Sequence, residues 1–303
     1  MKIPRYWARS ESDGDFHSRN PQTGERLPFV CWGWSDLSLD EAREVATRRL
    51  HRLIERVRAG HKGKLYPYGS GRPLKEEILE EWERDGAPHV LRTRNSYGCE
   101  VLNTADILFV DVDVEPLSGS EAWGLWWARL RHRFFGGSAP QSPVDFRVRA
   151  ALSKLRDVVS RDHRMRVRVY RTFAGFRYLF THDHHDPTAE TVHQLMEELG
   201  ADAMYRRLCK TQECFRARVS PKPWRVRGRS GDHGALWVQW PPQDESQAKE
   251  RLEWIQGYEL LAATYATCRF VEELGETPVP PDIAELVDLH DRLSRADSDR
   301  PLA

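Results

Sequence analysis

Asp111 and Asp113 sit two apart in Ile107-Leu108-Phe109-Val110-Asp111-Val112-Asp113-Val114, a run that is otherwise apolar. Side chains alternate faces along a strand, so the two carboxylates leave on the same side. Like charges held that close raise one another's pKa unless something positive sits between them. A divalent cation is one such partner, because Mg²⁺ takes one or two carboxylates together with substrate phosphates. The plainer alternative is a strand that leaves the core with both aspartates in water.

Three further stretches follow in order. Thr172-Phe173-Ala174-Gly175-Phe176-Arg177 places a basic residue after a glycine turn. Asp202 closes Gly200-Ala201-Asp202, and Phe215-Arg216-Ala217-Arg218-Val219-Ser220-Pro221-Lys222-Pro223-Trp224-Arg225 is an Arg/Lys strand with a Pro-Lys-Pro turn. This order, from Arg92 to Arg229, resembles the archaeo-eukaryotic primase superfamily, which includes the primase-polymerases.

The resemblance implies metal-dependent nucleotidyl transfer on a nucleic-acid template, DNA rather than RNA, using NTP or dNTP. Asp111, Asp113 and Asp202 would be the catalytic acids that hold Mg²⁺ or Mn²⁺, with Asp183 or Asp186 as alternatives to Asp202. Arg177 stands where the family carries a histidine, and a guanidinium can grip phosphate bidentately. Arg216, Arg218 and Lys222 would complete the nucleotide contacts. Phosphoryl and nucleotidyl transfer ask little of a protein beyond positioning and charge neutralisation, which such a set supplies.

Other readings use the same residues differently. A metal-dependent nuclease needs the acids but no nucleotide pocket. A non-catalytic nucleic-acid-binding module would keep the aspartates structural and grip phosphates and bases with basic segments and exposed aromatics. A structural protein with no nucleic acid fits the neutral overall charge. His182-Asp183-His184-His185-Asp186, with Cys209 and Cys214, offers metal-ligand types but not the short regular spacing of a zinc site. The chain has no Gly-x-Ser-x-Gly elbow, Walker-type phosphate loop or His-Glu-x-x-His helix.

The elements that must position these residues are legible in part. Leu27 to Trp34 reads as a first strand. Ser38-Leu39-Asp40-Glu41 is a capping box opening a helix to about Gly60, with Ala42, Ala46, Leu50, Leu53 and Val57 inward and Arg43, Arg48, Arg49, Arg52 and Arg56 outward. A Gly/Pro/Tyr loop from Tyr66 to Pro73 leads to an expected short helix from Leu74 to Glu83. Strands are expected at His89–Arg94, Glu100–Leu102, Phe215–Val219 and Ala235–Trp240, and a hairpin over Arg166–Phe180. Arg92-Thr93-Arg94 before Gly98 echoes Arg171-Thr172 before Gly175, which suggests two similar hairpins flanking the Asp111 strand. Helices are expected at Ser118–Gly137 on a tryptophan stripe, at Val144–Ser160, at Pro187–Leu199, along Glu245–Gly275, and in a last segment to Ala296. Together these predict an α+β fold: a mostly antiparallel or mixed sheet, the Asp111 strand central, helices on one face. The expected division is a core over 1–240 and a helical acidic extension over 241–303.

Charge is unevenly spread. The 303 residues balance 46 Lys+Arg against 46 Asp+Glu. Yet Ala203–Ser230 holds nine Lys/Arg and one acid, whereas Gln243–Ala303 holds six and fourteen. The first stretch is a candidate phosphate-binding surface and the second a solvated helical face. No run approaches the ~20 apolar residues of a membrane span. Five scattered cysteines suggest no disulfide framework. The Met1–Trp7 segment lacks a signal-peptide core, so the expected location is cytoplasmic.

Overall fold

The computed structural model describes residues 1–13, 17–19, 24–60, 72–114, 143–228 and 231–303. In chain order these form β1 (Tyr6–Glu11), β2 (His17–Arg19), β3 (Arg26–Pro28), β4 (Val30–Ser35) and α1 (Leu39–Arg58). Next come β5 (Glu77–Arg84), β6 (Ala87–Arg94), β7 (Glu100–Thr104), β8 (Phe109–Asp113), α2 (Pro143–Arg161), β9 (Val167–Thr172) and β10 (Gly175–Phe180). The remainder is α3 (Glu190–Leu199), α4 (Ala203–Gln212), β11 (Phe215–Arg218), β12 (Arg227–Gly228), β13 (Gly231–Asp232), α5 (Glu245–Ala262), β14 (Cys268–Leu274) and α6 (Pro281–Ser294). The expected tryptophan-stripe helix at Ser118–Gly137 lies outside the described residues, as does Tyr66–Gly71.

Two four-stranded sheets, ordered β14-β9-β10-β8 and β11-β7-β6-β5, are antiparallel throughout. The fold is therefore α+β, as the alternation of short apolar runs predicts. Asp111 does not lie on a central strand: β8 is the edge of its sheet. The far side of β8 is not left open to solvent. Tyr205 Oη, from α4, lies 2.9 Å from the Phe109 carbonyl and 3.0 Å from that of Arg216, and so ties β8 to β11 of the other sheet.

Helices cover both faces of the β8 sheet rather than one. Tyr178 reaches back to α2, donating to the Ala151 carbonyl at 3.3 Å. Its neighbour Arg177 points the other way, towards His290 of α6. Alternation along β10 makes these two faces opposite. The shared core holds fully buried Phe109, Val110, Tyr170, Tyr178, Leu179, Phe180 and Phe215.

Glycine is needed where β8 meets the β9–β10 turn. A Cβ at Gly175 would stand 1.9 Å from the Val112 carbonyl oxygen. The two-hairpin echo holds a shared device: Arg94 donates to the Gly98 carbonyl at 2.9 Å, and Arg171 to that of Gly175 at 3.1 Å.

Several local expectations give way to tertiary pairing. Glu77–Arg84 is strand β5 rather than helix, because it pairs with β6. Register shifts at Ile78/Glu80 and Trp82/Glu83 hide the period of two that would have marked it. The expected helix over Glu245–Gly275 stops at Ala262, and Cys268–Leu274 adds to β9 as the outer strand of the Asp111 sheet. Ala235–Trp240 forms no strand; Leu236 makes one ladder-like bond, its N–H donating to the Tyr97 carbonyl at 3.1 Å. The Leu27–Trp34 strand is broken at Phe29 into β3 and β4, and β4 pairs with an unforeseen first strand, β1. The α1 cap is as expected, with Ser38 Oγ accepting from the Glu41 N–H at 3.1 Å, though the Glu41 carboxylate accepts from Ser35 instead of reaching back.

Candidate nucleic-acid interface

Register sets the first relationship. Arg177 lies directly across the β8–β10 ladder from Asp111, and Gly175 across from Asp113. Opposed residues on antiparallel strands share a face. The Arg177 Nε and Nη2 donate to the two Asp111 oxygens at 2.7 and 2.9 Å. Its Nη1 donates to the Arg218 carbonyl at 2.8 Å and lies 3.3 Å from His290 Nε2. The Arg177 side chain is 1% exposed, that of Asp111 36%. Burial alone would push the Asp111 carboxyl up, but the Arg177 charge and its hydrogen bonds outweigh it and, with Arg218 and His290 nearby, hold the carboxyl below its ordinary range. The positive partner that the Asp-x-Asp pair demands is thus, at Asp111, a guanidinium.

The ground beneath this pair is also polar. His290 Nδ1 lies 2.9 Å from Asp291, which accepts from Arg168 at 2.8 Å. Cys268 Sγ is 3.9 Å from His290 Nε2. Cysteine, histidine and aspartate in this order have the look of a nucleophile, base and orienting acid. Cys268 and His290 are both fully buried, so the group braces the sheet rather than meeting a substrate. Sequence spacing offered no signal for it, because its members come from β9, β14 and α6.

Asp113, two residues on, is exposed. Near it lie Lys222 and Arg225, from the turn after β11, with Arg218 from the end of β11 close to both. Lys222 and Arg225 both feel Asp113 and both feel Arg218. Burial and then the neighbouring cations push the Lys222 and Arg225 pKa values down. Among the described residues no carboxylate pairs with any of the three, and Arg218 Nε is buried with no partner. Clustered cations that repel one another favour an anion between them.

The turn that presents them is held rigidly. Pro221 and Pro223 fix two backbone torsions, and Pro223–Arg225 closes as a short 3₁₀ turn. Ser220 Oγ accepts from the Glu100 N–H at 2.7 Å and lies 2.8 Å from Tyr258 Oη, which is itself 2.5 Å from the Pro221 carbonyl. Cys99 beneath donates weakly to the same carbonyl, and burial pushes its thiol up to about 11.

Aromatic rings alternate with these cations. Arg225 lies 4.0 Å over the Phe173 ring, at the tip of the β9–β10 turn beside Asp113. Lys222 lies 5.6 Å over Trp224, and Tyr97 meets Trp224 edge-on at 5.4 Å. Phe173, Trp224 and Tyr97 are 53%, 40% and 53% exposed, unusual for rings that could have been buried.

Of the residues that sequence reasoning selects, the structure therefore gathers Asp111, Asp113, Arg177, Arg218 and Lys222. It leaves two apart. Arg216 is spent on Glu76, at 2.7 Å, within a buried cluster that includes Thr93. Asp202 caps α4, accepting from the Tyr205 N–H at 2.9 Å. The Gly200 just before it lies against Val112, whose side chain leaves β8 on the face opposite Asp111. Of the alternatives, Asp186 is taken up by Thr188 and Asp183 by the His184 N–H. Among the described residues no group of three or more His, Cys, Asp or Glu side chains is arranged around a metal position. Phe173, Trp224, Tyr97 and Arg225 complete this face but are not among the site residues that sequence reasoning selects; the interleaving of basic and aromatic residues in Lys222-Pro223-Trp224-Arg225 was the available signal.

Comparison with protein-family models, with curated proteins and with solved structures yields no match. The functional reading rests on the site alone.

Proposed function

We propose that the face formed by Phe173, Trp224, Tyr97, Arg218, Lys222 and Arg225 binds single-stranded nucleic acid without catalysis. The observation that carries this reading is the run of unpaired cations, two of them set against exposed rings. Cations that track phosphates beside rings on which bases stack are the common design of single-strand binders. Asp111 then serves to hold Arg177, and Arg177 holds the Arg218 backbone, so the acid–base pair positions the basic strand.

The test is fluorescence anisotropy with a labelled single-stranded oligonucleotide over a range of salt. Three phosphate contacts on a single strand give a slope of log K against log salt of about −2. Lys222→Ala and Arg225→Ala should each weaken binding and shallow that slope by about 0.7. Trp224→Ala should weaken it by about 1–3 kcal/mol with the slope unchanged. Affinity that ignores all three substitutions would sink the proposal.

A second reading has one observation in its favour: Asp113 is exposed on the face of Asp111, beside cations suited to a triphosphate. Metal-dependent nucleotidyl transfer there would require Asp111 to exchange its guanidinium for Mg²⁺ or Mn²⁺. Calorimetry with a non-hydrolysable dNTP and Mn²⁺, on wild type and on the Asp111→Asn/Asp113→Asn variant, distinguishes the two. Metal-dependent nucleotide binding lost in the variant favours transfer; none in either protein favours binding alone.

A further inference from the structure

The N-terminal strands and α1 enclose a second feature that the Phe173–Trp224 face does not use. A pocket of about 810 Å³ lies between β3, β4, α1 and the segment 72–75. That is ample for a nucleotide-sized ligand, since pockets for such molecules run from about 300 to 1,000 Å³. Its aromatic wall is Trp7, Trp32 and Trp34, with the Trp7 and Trp34 rings 5.4 Å apart. Among the described residues its lining includes five cations, Arg49, Arg52, Arg56, Arg72 and Lys75, and no carboxylate.

At Arg52 and Arg56 the arrangement is costly unless something offsets it. Arg49, Arg52 and Arg56 fall at helical spacing on one stripe of α1, where like charges destabilise one another. Elsewhere on α1 arginines are neutralised within the helix, Arg43 by Asp40 at 2.7 Å and Arg48 by Glu44 at 3.3 Å. Arg52 and Arg56 have no such partner among the described residues. Two of the cations also engage the aromatic wall: Lys75 Nζ lies 3.7 Å over Trp32 and Arg49 4.3 Å over Trp34. Burial, with Arg9 nearby, pushes Lys75 down to about 8, as for an ammonium short of counter-charge.

Flat indole faces suit a planar base, and a ring of cations at the same mouth suits phosphate. An aliphatic acid would gain nothing from the indole faces, and a neutral aromatic would leave Arg52 and Arg56 unanswered. We infer that this pocket binds a nucleoside 5′-phosphate, its base against Trp32 and Trp34 and its phosphates towards Arg52 and Arg56. The site shares no residue with the Phe173–Trp224 face and stands whether or not that face binds nucleic acid.

The experiment is calorimetry on the full chain with ATP, and with adenosine and pyrophosphate as the two halves, followed in parallel by tryptophan fluorescence. ATP should bind and quench the tryptophans, more tightly than either half by roughly tenfold or more. Arg52→Ala/Arg56→Ala, both on the exposed side of a helix and safe for folding, should weaken ATP by roughly tenfold or more while sparing adenosine. Trp32→Leu, checked by circular dichroism, should weaken ATP and adenosine alike. Lys222→Ala/Arg225→Ala should leave ATP affinity unchanged. Pyrophosphate binding as tightly as ATP, ATP binding indifferent to the α1 arginines, ATP binding lost with Lys222 and Arg225, or no ATP binding at millimolar concentration would each overturn the inference.

Discussion

Arg177 and Asp111 face each other across the β8–β10 ladder as a two-bond ion pair, with the guanidinium buried and the carboxylate a third exposed. Removing one member leaves the other charge uncompensated, and breaking such a buried pair costs about 3–5 kcal/mol. Arg177→Ala and Asp111→Asn should both fall in or near that range by urea denaturation. Asp113→Asn, at an exposed position, should stay within about 0.5 kcal/mol. Equal small effects for Asp111 and Asp113 would mean that the pair contributes little and that the two acids serve one purpose.

The same pair sets a response to acid. The folded protein holds the Asp111 carboxyl below its ordinary value, which in the unfolded chain is about 3.9. A group depressed on folding stabilises the fold above its unfolded pKa and loses that contribution as pH falls through the folded one. Wild-type stability should therefore drop as pH falls below about 4. Asp111→Asn should start lower and lose less over the same window. Denaturation midpoints from pH 6 down to pH 2, compared between the two proteins, check this.

The acid pair was legible because two aspartates break an apolar run at strand spacing, and the Pro-Lys-Pro turn because its residue types admit few conformations. What answered Asp111 was not legible. Arg177 lies 66 positions away and His290 comes from the last helix, so only tertiary pairing brings them together. Arg216 and Arg218 look alike in sequence, yet one meets Glu76 and the other meets no carboxylate among the described residues. The hidden strands β5 and β14 share a cause. Glu77–Arg84 and Cys268–Leu274 are rich in glutamate, which favours helix locally, and each is made a strand by a partner with a bulged register.

Asp202 tests how far the acids act together. Its carboxylate is the N-cap of α4, and replacing such a cap by alanine costs about 1 kcal/mol. Asp202→Ala should lose about that much stability and leave oligonucleotide affinity unaltered. A loss of binding with no loss of stability would return Asp202 to the site.

Tyr258 positions the basic turn from behind without facing solvent. Its hydroxyl lies against Ser220 and the Pro221 carbonyl, and burial pushes its pKa well up, so it stays a neutral donor. Tyr258→Phe removes those bonds and leaves the carbonyl only the weak Cys99 donor, at about 1–3 kcal/mol. Oligonucleotide affinity should fall as well, through a loosened Lys222–Arg225 turn, while the salt slope stays near that of wild type because no phosphate contact is deleted. Stability that falls with affinity intact would mean that the turn keeps its shape unaided.

Gly175 links fold and binding most directly. The turn before it carries Phe173, and β8 approaches so closely that an added Cβ would stand 1.9 Å from the Val112 carbonyl oxygen and 2.9 Å from the Asp113 Cα. Backbone, unlike a flexible side chain, cannot yield cheaply, so Gly175→Ala must part β8 from β10 or shift the turn. Overpacking of this kind costs about 1–3 kcal/mol. It should also weaken oligonucleotide binding, because Phe173 and Asp113 move relative to Arg225. Gly86→Ala is the control: that glycine has φ +74° and nothing within 4 Å of an added Cβ. It should cost about 1–2 kcal/mol of backbone strain and leave affinity untouched. Matching affinities for the two variants would show that the β8–β10 register has no bearing on the binding face.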